Sequence, residues 1–369
     1  MGSTPRGISA SRGAAVLGLS EYQTPFEVWQ RICEERHLGF NAERGYTLPE
    51  ESDNAAIRWG LAFENAAIEL AERAKGERIL GRENFCGYDF EYNGAAALSD
   101  DDYPITCHID GYYGRDGETI SLRNGKVYST ATLHEGKTTN AMTFREKWGE
   151  PGTDHIPRQY QIQVQHQMLC TGAQEAIVSV LVFPETPDHF EKLGWGISVS
   201  PGGHPLLAKV FNNGEPLFPD TNFVTPVTWA DTLFEMGYFH QYPVKANPEA
   251  QRLMVEKYAA FWHNHVLTGE PPELRTYEDV KRFFPEPKTT IVVPEYIERK
   301  LLEYKGITEE TANAKKHKDR IKMIVTKYAA EHGGVIDDES KEAVIFRSTR
   351  GDKLGSWGKN KNGVLAFRA

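Results

Sequence analysis

The residues best placed to do chemistry are Glu135 and Lys137, one residue apart in LHEGKTTN (133 to 140). The preceding stretch is rich in Thr, Val, Tyr and Gly, which predicts a β-strand, and alternation along a strand points both side chains the same way. A solvent-facing charge pair satisfies so short a pattern equally well. Two further acids open a chemical alternative. Glu64 shares a helical face with Ile57, Leu61 and Ile68, spaced by four, three and four. A carboxylate in such an apolar stripe requires either a buried salt bridge or a metal ion. Asp110, in CHIDGYY, follows Ile105, Cys107 and Ile109 and precedes Gly111, so it either opens an Asp-Gly turn or ends a strand. Brought together by a mixed fold, these three carboxylates and one ammonium would offer hard oxygen donors suited to Mg²⁺ or Mn²⁺ rather than zinc.

The elements that would have to gather them alternate between helix and strand, with no internal repeat. NAAIRWGLAFENAAIELAERAKG (54 to 76) predicts a long helix, capped by Asn54 and stopped by Gly76. TPFEVWQRICEER predicts another, with Thr24 as cap and Pro25 in the first turn. ITCHIDGYYG, ETISL and KVYSTATLHEGK, separated by Asp116-Gly117 and Asn124-Gly125, read as an antiparallel meander. IPRQYQIQVQHQMLCTG predicts a helix with Pro157 early and Gly172 as its stop, and AIVSVLVF a buried strand. A helix around MVEKYAAFWHNHVLTG ends at Pro271 and Pro272, and FFPEPKTTIVVPE reads as a linker.

A chain of 369 residues, 40% hydrophobic and 25% charged, has the composition of a globular protein with one large core or two domains. No apolar run is long enough for a membrane span and no leader pattern opens the chain, so a cytoplasmic location is expected. Cys33, Cys86, Cys107 and Cys170 form no Cys-x-x-Cys pair, which excludes a zinc ribbon or clustered iron-sulfur site and leaves reduced thiols. The net charge of -10 is unevenly spread. Residues 299 to 369 hold 16 Lys plus Arg against 10 Asp plus Glu, so this tail is about +6 and the remainder about -16. A carboxylate-rich body with a basic appendage suits a metal-dependent enzyme acting on a polyanion.

Five ordered motifs give the chain a family resemblance. ISASRGAAVLGLS (8 to 20), WGLAFEN (59 to 65), HIDGYY, HEGK and YQIQVQHQMLCTG (160 to 172) resemble, in order, motifs of the YqaJ and phage lambda exonuclease group. These are its serine, Trp-Gly-x-x-x-Glu-Asn, Asp-Gly, Glu-x-Lys and Gln-Val-Gln motifs. The group lies within the PD-(D/E)xK nuclease superfamily. FWHNHVLTGEPP (261 to 272) resembles the carboxy-terminal helix of YqaJ-type domains. The resemblance implies an α/β restriction-endonuclease-like core, a mixed central sheet flanked by helices, followed here by an α-rich extension. It implies a nuclease domain over 1–275, a linker over 276–295 and a basic extension over 296–369.

The same resemblance implies roles. Asp110 and Glu135 would be the principal ligands of Mg²⁺ or Mn²⁺, two ions per site, helped by Glu64 and the Gly136 carbonyl. Lys137 would orient or polarise the attacking water, with Gln163 hydrogen-bonding in the same site and accepting from Lys137. Gln165, two residues on, points elsewhere on the helix and is structural. Ser11 would contact a terminal phosphate or cap a helix, and Arg12 would favour a DNA end. From charge rather than resemblance, Lys315, Lys316 and Lys318, with Lys322 and Lys327 close by on a predicted helix, would meet DNA phosphates. Ile109 stands where a proline is common, and the long interval from Asp110 to Glu135 predicts an extra hairpin in which Glu118 is a surface residue or substitute ligand. Asp100, Asp101 and Asp102 form a polar turn or add an acid. The implied activity is 5′-to-3′ exonucleolytic hydrolysis of double-stranded DNA in phage or prophage recombination. A structure-specific or restriction-type endonuclease and a non-catalytic DNA-end binder are the alternatives. A trimeric ring and a single-strand annealing partner follow by analogy.

Overall fold

The structure, a computed structural model, describes residues 7–46, 48, 55–80, 90–91, 105–114, 122–123, 126–127, 132–199, 205–211, 215–216, 223–284, 291–306, 312–332, 344–359 and 365–368. The amino-terminal elements are β1 (Ile8–Ser9), α1 (Ala10–Val16), α2 (Pro25–Glu35), α3 (Phe40–Glu43), α4 (Ala55–Lys75), β2 (Arg78–Leu80) and β3 (Phe90–Glu91). Next come β4 (Ile105–Cys107), β5 (Gly111–Gly114), β6 (Leu122–Arg123), β7 (Lys126–Val127), β8 (Thr132–Asn140), α5 (Ala141–Lys147), α6 (Arg158–Thr171) and β9 (Glu175–Phe183). They are followed by α7 (Pro187–Lys192), β10 (Trp195–Val199), β11 (Pro205–Phe211), β12 (Glu215–Pro216), β13 (Phe223–Val224), α8 (Pro226–Glu235), β14 (Phe239–Lys245) and α9 (Pro248–Phe261). After a π-helical turn (Trp262–Val266) come α10 (Tyr277–Phe283), β15 (Ile291–Val292), α11 (Glu295–Gly306), α12 (Ala312–His332), β16 (Val344–Arg347), β17 (Lys353–Lys359) and β18 (Leu365–Arg368). No helix among the described residues is long and apolar enough to cross a membrane.

The chain divides into two compact units, Met1–Ser20 with Glu51–Ala260, and Glu21–Glu50 with Phe261–Ala369. The first is built on a five-stranded sheet of order β14-β9-β8-β5-β2. β8 and β9 are parallel over their whole length and the other pairs antiparallel, so the sheet is mixed, as the resemblance implied. β9 is buried along nearly all of EAIVSVLVF, which explains why it reads as a continuous apolar run.

The expected meander is only partly present. ITCHIDGYYG breaks at Asp110: β4 pairs with β1 and β3, whereas β5 pairs with β2 and β8 in the central sheet. β6 and β7 pair with each other, while Asn124-Gly125, Asp116-Gly117, Glu118 and Asp100 to Asp102 lie outside the described residues. Gly111 makes the break possible. Its φ is +150°, and an added Cβ would fall 2.5 Å from Ile79 Cγ2 and 3.0 Å from the Leu80 carbonyl oxygen.

The long helix α4 corrects the reading of Glu64. Its buried side is Trp59, Phe63 and Leu70 with Ala62 and Ala66, packed with Phe183, Phe190 and Leu207. Ile57 and Leu61 are 48% and 68% exposed, and Glu64 is exposed with them. The two stripes compete for the sheet, and the aromatic one wins because it removes more apolar area from water. Glu64 therefore needs no compensating buried partner. Gly76 ends the helix as expected, with φ +72° and its N–H on the Glu72 carbonyl.

The second unit has its own core of Val293, Ile297, Leu301, Ile321, Val325, Phe346 and Trp357. Residues 276–295, expected as a linker, contain α10 and β15. Thr24 caps α2 and Thr276 caps α10, each with a reciprocal capping box. The Thr24 hydroxyl donates to Asp279 Oδ1 at 2.7 Å, and Arg282 pairs with Glu27. These bonds tie residues 21–50 into this unit. The extension is not simply α-rich: β15 runs parallel to β16, which begins the antiparallel run β16-β17-β18, so LGSWGKNKNGVLAFRA contributes two strands.

Because Gly111 both bends the chain and admits Ile79, Gly111→Ala should cost about 1–3 kcal/mol in urea unfolding and displace Asp110. An unchanged unfolding midpoint would show that the kink tolerates a side chain.

Candidate active site

Strand alternation sets the first two groups. Glu135 and Lys137 share one face of β8, and the Lys137 ammonium donates to Glu135 Oε1. Their side chains are 3% and 17% exposed, which excludes a solvent-facing charge pair. The antiparallel register pairs Gly111 with His134, and extending it by one residue sets Asp110 beside Glu135. Asp110 is held there by the Gly136 N–H, which donates to Oδ2 at 2.8 Å.

Helix α6 supplies the next layer. Its backbone begins after Pro157 and stops at Gly172, whose φ is +79°. Tyr160, Gln163 and Gln167 lie at i, i+3 and i+7 and so share one face. Gln163 Nε2 donates to Glu135 Oε1 at 2.6 Å, and Gln167 Nε2 to Glu135 Oε2 at 2.6 Å and to the His108 carbonyl at 3.1 Å. The Lys137 ammonium lies 5.0 Å from the centre of the Tyr160 ring, a cation–π contact. Gln163 was expected to accept from Lys137; both instead donate to the same carboxylate oxygen, because an ionised carboxylate accepts from both. Gln167 and Tyr160 are the residues that motif reading missed. Their signal was present as helical spacing from Gln163.

The other side of α6 is structural. Gln165 donates to the Lys245 carbonyl at 2.7 Å and accepts from the Asn247 N–H at 2.8 Å, in agreement with the reading of the sequence. His166 Nε2 lies 2.9 Å from the Thr106 carbonyl and Nδ1 3.3 Å from the Tyr258 hydroxyl. An added Cβ at Gly13 would fall 2.2 Å from that Tyr258 hydroxyl of α9 and 3.3 Å from His166 Nδ1 of α6, so α1 approaches both helices closely through a glycine.

Burial pushes the Glu135 pKa up, and the neighbouring Asp110 carboxylate adds to the shift against Lys137 and Gln167. Burial likewise raises Asp110, against the pull of Lys137 and the Gly136 N–H, and repulsion from Glu64 raises it further. For Lys137 burial acts downward but is outweighed by Glu135 and Asp110, so its pKa is raised and it remains an ammonium. Two buried acids thus share one cation, with Glu64 near enough to repel Asp110. Among the described residues no three His, Cys, Asp or Glu side chains are gathered as a ready metal cage. The donor set still fits a hard divalent cation, since Asp110, Glu135 and Glu64 offer only oxygen and carry, when ionised, two negative charges more than Lys137 balances.

The sequence-derived DNA contacts fall as follows. Ser11 is exposed in the first turn of α1; Ser9, not Ser11, occupies the cap position, and the two hydroxyls lie 3.1 Å apart. Arg12 Nη1 donates to the Gly7 carbonyl at 3.4 Å. Lys315, Lys316 and Lys318 are on α12 in the second unit. Lys315 and Lys316 are exposed, whereas the Lys318 ammonium sits 4.8 Å from the Tyr304 ring centre. Cys33, Cys107 and Cys170 are buried free thiols, and Cys86 lies outside the described residues.

Residues 4–174 match the family described as YqaJ-like viral recombinase domain. Among solved structures the chain is similar to an alkaline exonuclease, LHK-Exo, from Laribacter hongkongensis. The two are 15% identical with a TM-score of 0.41, over 72% of this chain and 90% of that one. The figures for LHK-Exo in complex with dAMP are 17%, 0.41, 75% and 92%. For a phage related exonuclease from Haemophilus somnus 129PT they are 12%, 0.35, 72% and 96%. Comparison with curated proteins gave no match. The family match spans all five ordered motifs, and the side chains of three of them, Asp110, Lys137 and Gln163, gather around Glu135. The similarity to YqaJ-like viral recombinase domains thus lies in residues 4–174.

Proposed function

We propose that this protein hydrolyses phosphodiester bonds of double-stranded DNA from an end, in the 5′-to-3′ direction, as a metal-dependent recombination exonuclease. The observation that carries the reading is the convergence of Asp110, Glu135, Lys137 and Gln163 at one buried point. Asp110 and Glu135, with Glu64 and the Gly136 carbonyl, would hold Mg²⁺ or Mn²⁺. When bound, two such ions supply a hydroxide-like nucleophile at neutral pH and neutralise charge at the phosphate. Lys137, kept protonated between two acids, offers donors to a water or phosphate oxygen. Gln163 and Gln167 fix the rotamer of Glu135. Within this reading the substrate is a DNA end in the bacterial cytoplasm. A trimeric ring and a single-strand annealing partner are carried by the resemblance alone.

Linear duplexes labelled separately at the two ends should lose the 5′ label first when Mg²⁺ is added, and covalently closed circles should survive. Lys137→Ala should lower kcat at least about 100-fold while Mn²⁺ affinity measured by calorimetry stays within about threefold. Activity within about tenfold of wild type would remove the lysine from the mechanism.

The raised carboxyl pKa values give a pH test. A carboxyl raised on folding contributes stability below the ordinary carboxylate range that is lost as pH rises through its folded value. A cation must displace those protons. The increase in Tm produced by Mn²⁺ should therefore be small near about pH 5 and grow toward about pH 8, and Asp110→Asn should flatten the dependence. An increment independent of pH would contradict the ligand assignment.

We further assign DNA affinity to the exposed lysines of α12. Deleting residues 296–369 would strip the core of the second unit, so point variants are the appropriate test. Lys315→Ala with Lys316→Ala should reduce the slope of log affinity against log salt by about 1–2 without lowering the melting temperature. An unchanged slope would remove α12 from DNA binding.

A further inference from the structure

A pocket of about 410 Å³ opens beside the carboxy-terminal end of β8. It is lined by Phe144 and Arg145 of α5, Val182 of β9, and Met236, Tyr238 and His240 in and before β14. Strand register decides which face of the sheet it occupies. Lys137 pairs with Val180, and Val180 with His240, so these three side chains stand in a row across β8, β9 and β14. Val182, two residues past Val180, shares their face. The pocket thus opens on the face that carries Glu135 and Lys137.

A line of rings joins the two places. The Lys137 ammonium sits over Tyr160; Tyr160 lies 5.7 Å from Trp148, Trp148 stacks 6.0 Å from Phe144, and Phe144 stacks 4.7 Å from His240 at an interplanar angle of 16°. Burial holds the His240 pKa below the usual histidine value, so at neutral pH this pair is an uncharged aromatic platform. Arg145, exposed on the same helix, supplies a cation at its edge. Asn140, where β8 ends, is three residues from Lys137, roughly 10 Å at the rise of a strand. That is about three stacked base steps, or fewer in a strand drawn out of the duplex.

We propose that this pocket holds an unpaired nucleobase of the strand being cut, about one to three nucleotides from the scissile phosphate. The base lies against the Phe144–His240 platform and Arg145 meets an adjoining phosphate. The assignment rests on the nuclease reading above. Aromatic stacking accepts every base, which suits an enzyme that removes nucleotides without regard to sequence. Holding the base outside the helix would also favour separation of the strand end from its complement before cleavage.

The test uses the full chain and linear duplexes carrying 2-aminopurine at one position at a time, counted from each end. Wild-type protein, in Ca²⁺, should change the fluorescence within one narrow window near the cut end, and Phe144→Ala should abolish the change. In steady-state cleavage with Mg²⁺, Phe144→Ala and His240→Ala should each raise KM about tenfold, and Arg145→Ala severalfold, with kcat within about twofold. Arg145 is a surface residue, so its variant, checked by thermal melting, remains informative if the ring variants unfold. Unchanged KM in well-folded Arg145→Ala and His240→Ala would overturn the proposal, as would a fluorescence window that survives Phe144→Ala. A fall in kcat at constant KM would also overturn it, by showing that the rings only position Lys137. Wild-type protein that cuts no DNA would instead reject the nuclease reading, and the base site with it.

Discussion

Glu135 is a carboxylate with almost no access to water, and the first unit is organised around making that tolerable. Burying an ionised acid costs several kcal/mol unless its lone pairs are satisfied by charge and hydrogen bonds. Here Lys137 comes from the same strand, and Gln163 and Gln167 come from α6. Each donor places a demand on the backbone. β8 must be extended so that 135 and 137 point together, and α6 must be a regular helix so that 163 and 167 lie one turn apart. The Pro157 start and Gly172 stop of that helix, and the continuous pairing of β8 with β9, serve this one side chain as much as they serve the core.

Asp110 adds a second constraint, because it sets a like charge next to Glu135. Repulsion and burial both raise the two carboxyls, and a single ammonium only partly offsets them. That imbalance leaves the pair with more negative charge than Lys137 balances. It also explains the Asp-Gly break, since a strand running straight on would leave Asp110 in the ladder rather than on the Gly136 N–H. Polar amides that orient an acid, together with a lysine kept charged, are what phosphodiester hydrolysis asks of a protein.

The second unit follows different physics. Its aliphatic and aromatic core is closed by two interlocked capping boxes, so short polar residues perform a tertiary task normally left to apolar ones. Lys318 and Lys322 lie over tyrosine rings, which fixes their stems, while Lys315, Lys316 and Arg320 are exposed on the same helix.

Local rules were sufficient wherever one residue or one period decides the outcome. The alternation of Glu135 and Lys137, the caps at Thr24 and Gly76, the extent of α6, the buried run of β9 and the structural role of Gln165 were all legible in the chain. The motifs also grouped Asp110 and Gln163, which the structure places around Glu135 and Gly136. Tertiary structure decided what depends on competition between faces or on partners far apart in sequence. Glu64 is exposed rather than buried because Trp59 and Phe63 bury more area than Ile57 and Leu61, a comparison that requires the sheet to be present. Residues 276–295 contain α10 and β15 rather than only a linker, and α10 is joined to α2 by Thr24, 255 residues away, donating to Asp279. Gln167 reads as one more polar helix residue until β8 delivers the second oxygen of Glu135 to it. Sequence specifies which groups are available and which local shapes they prefer; burial, which sets the cost of every charge, exists only once the distant elements have met.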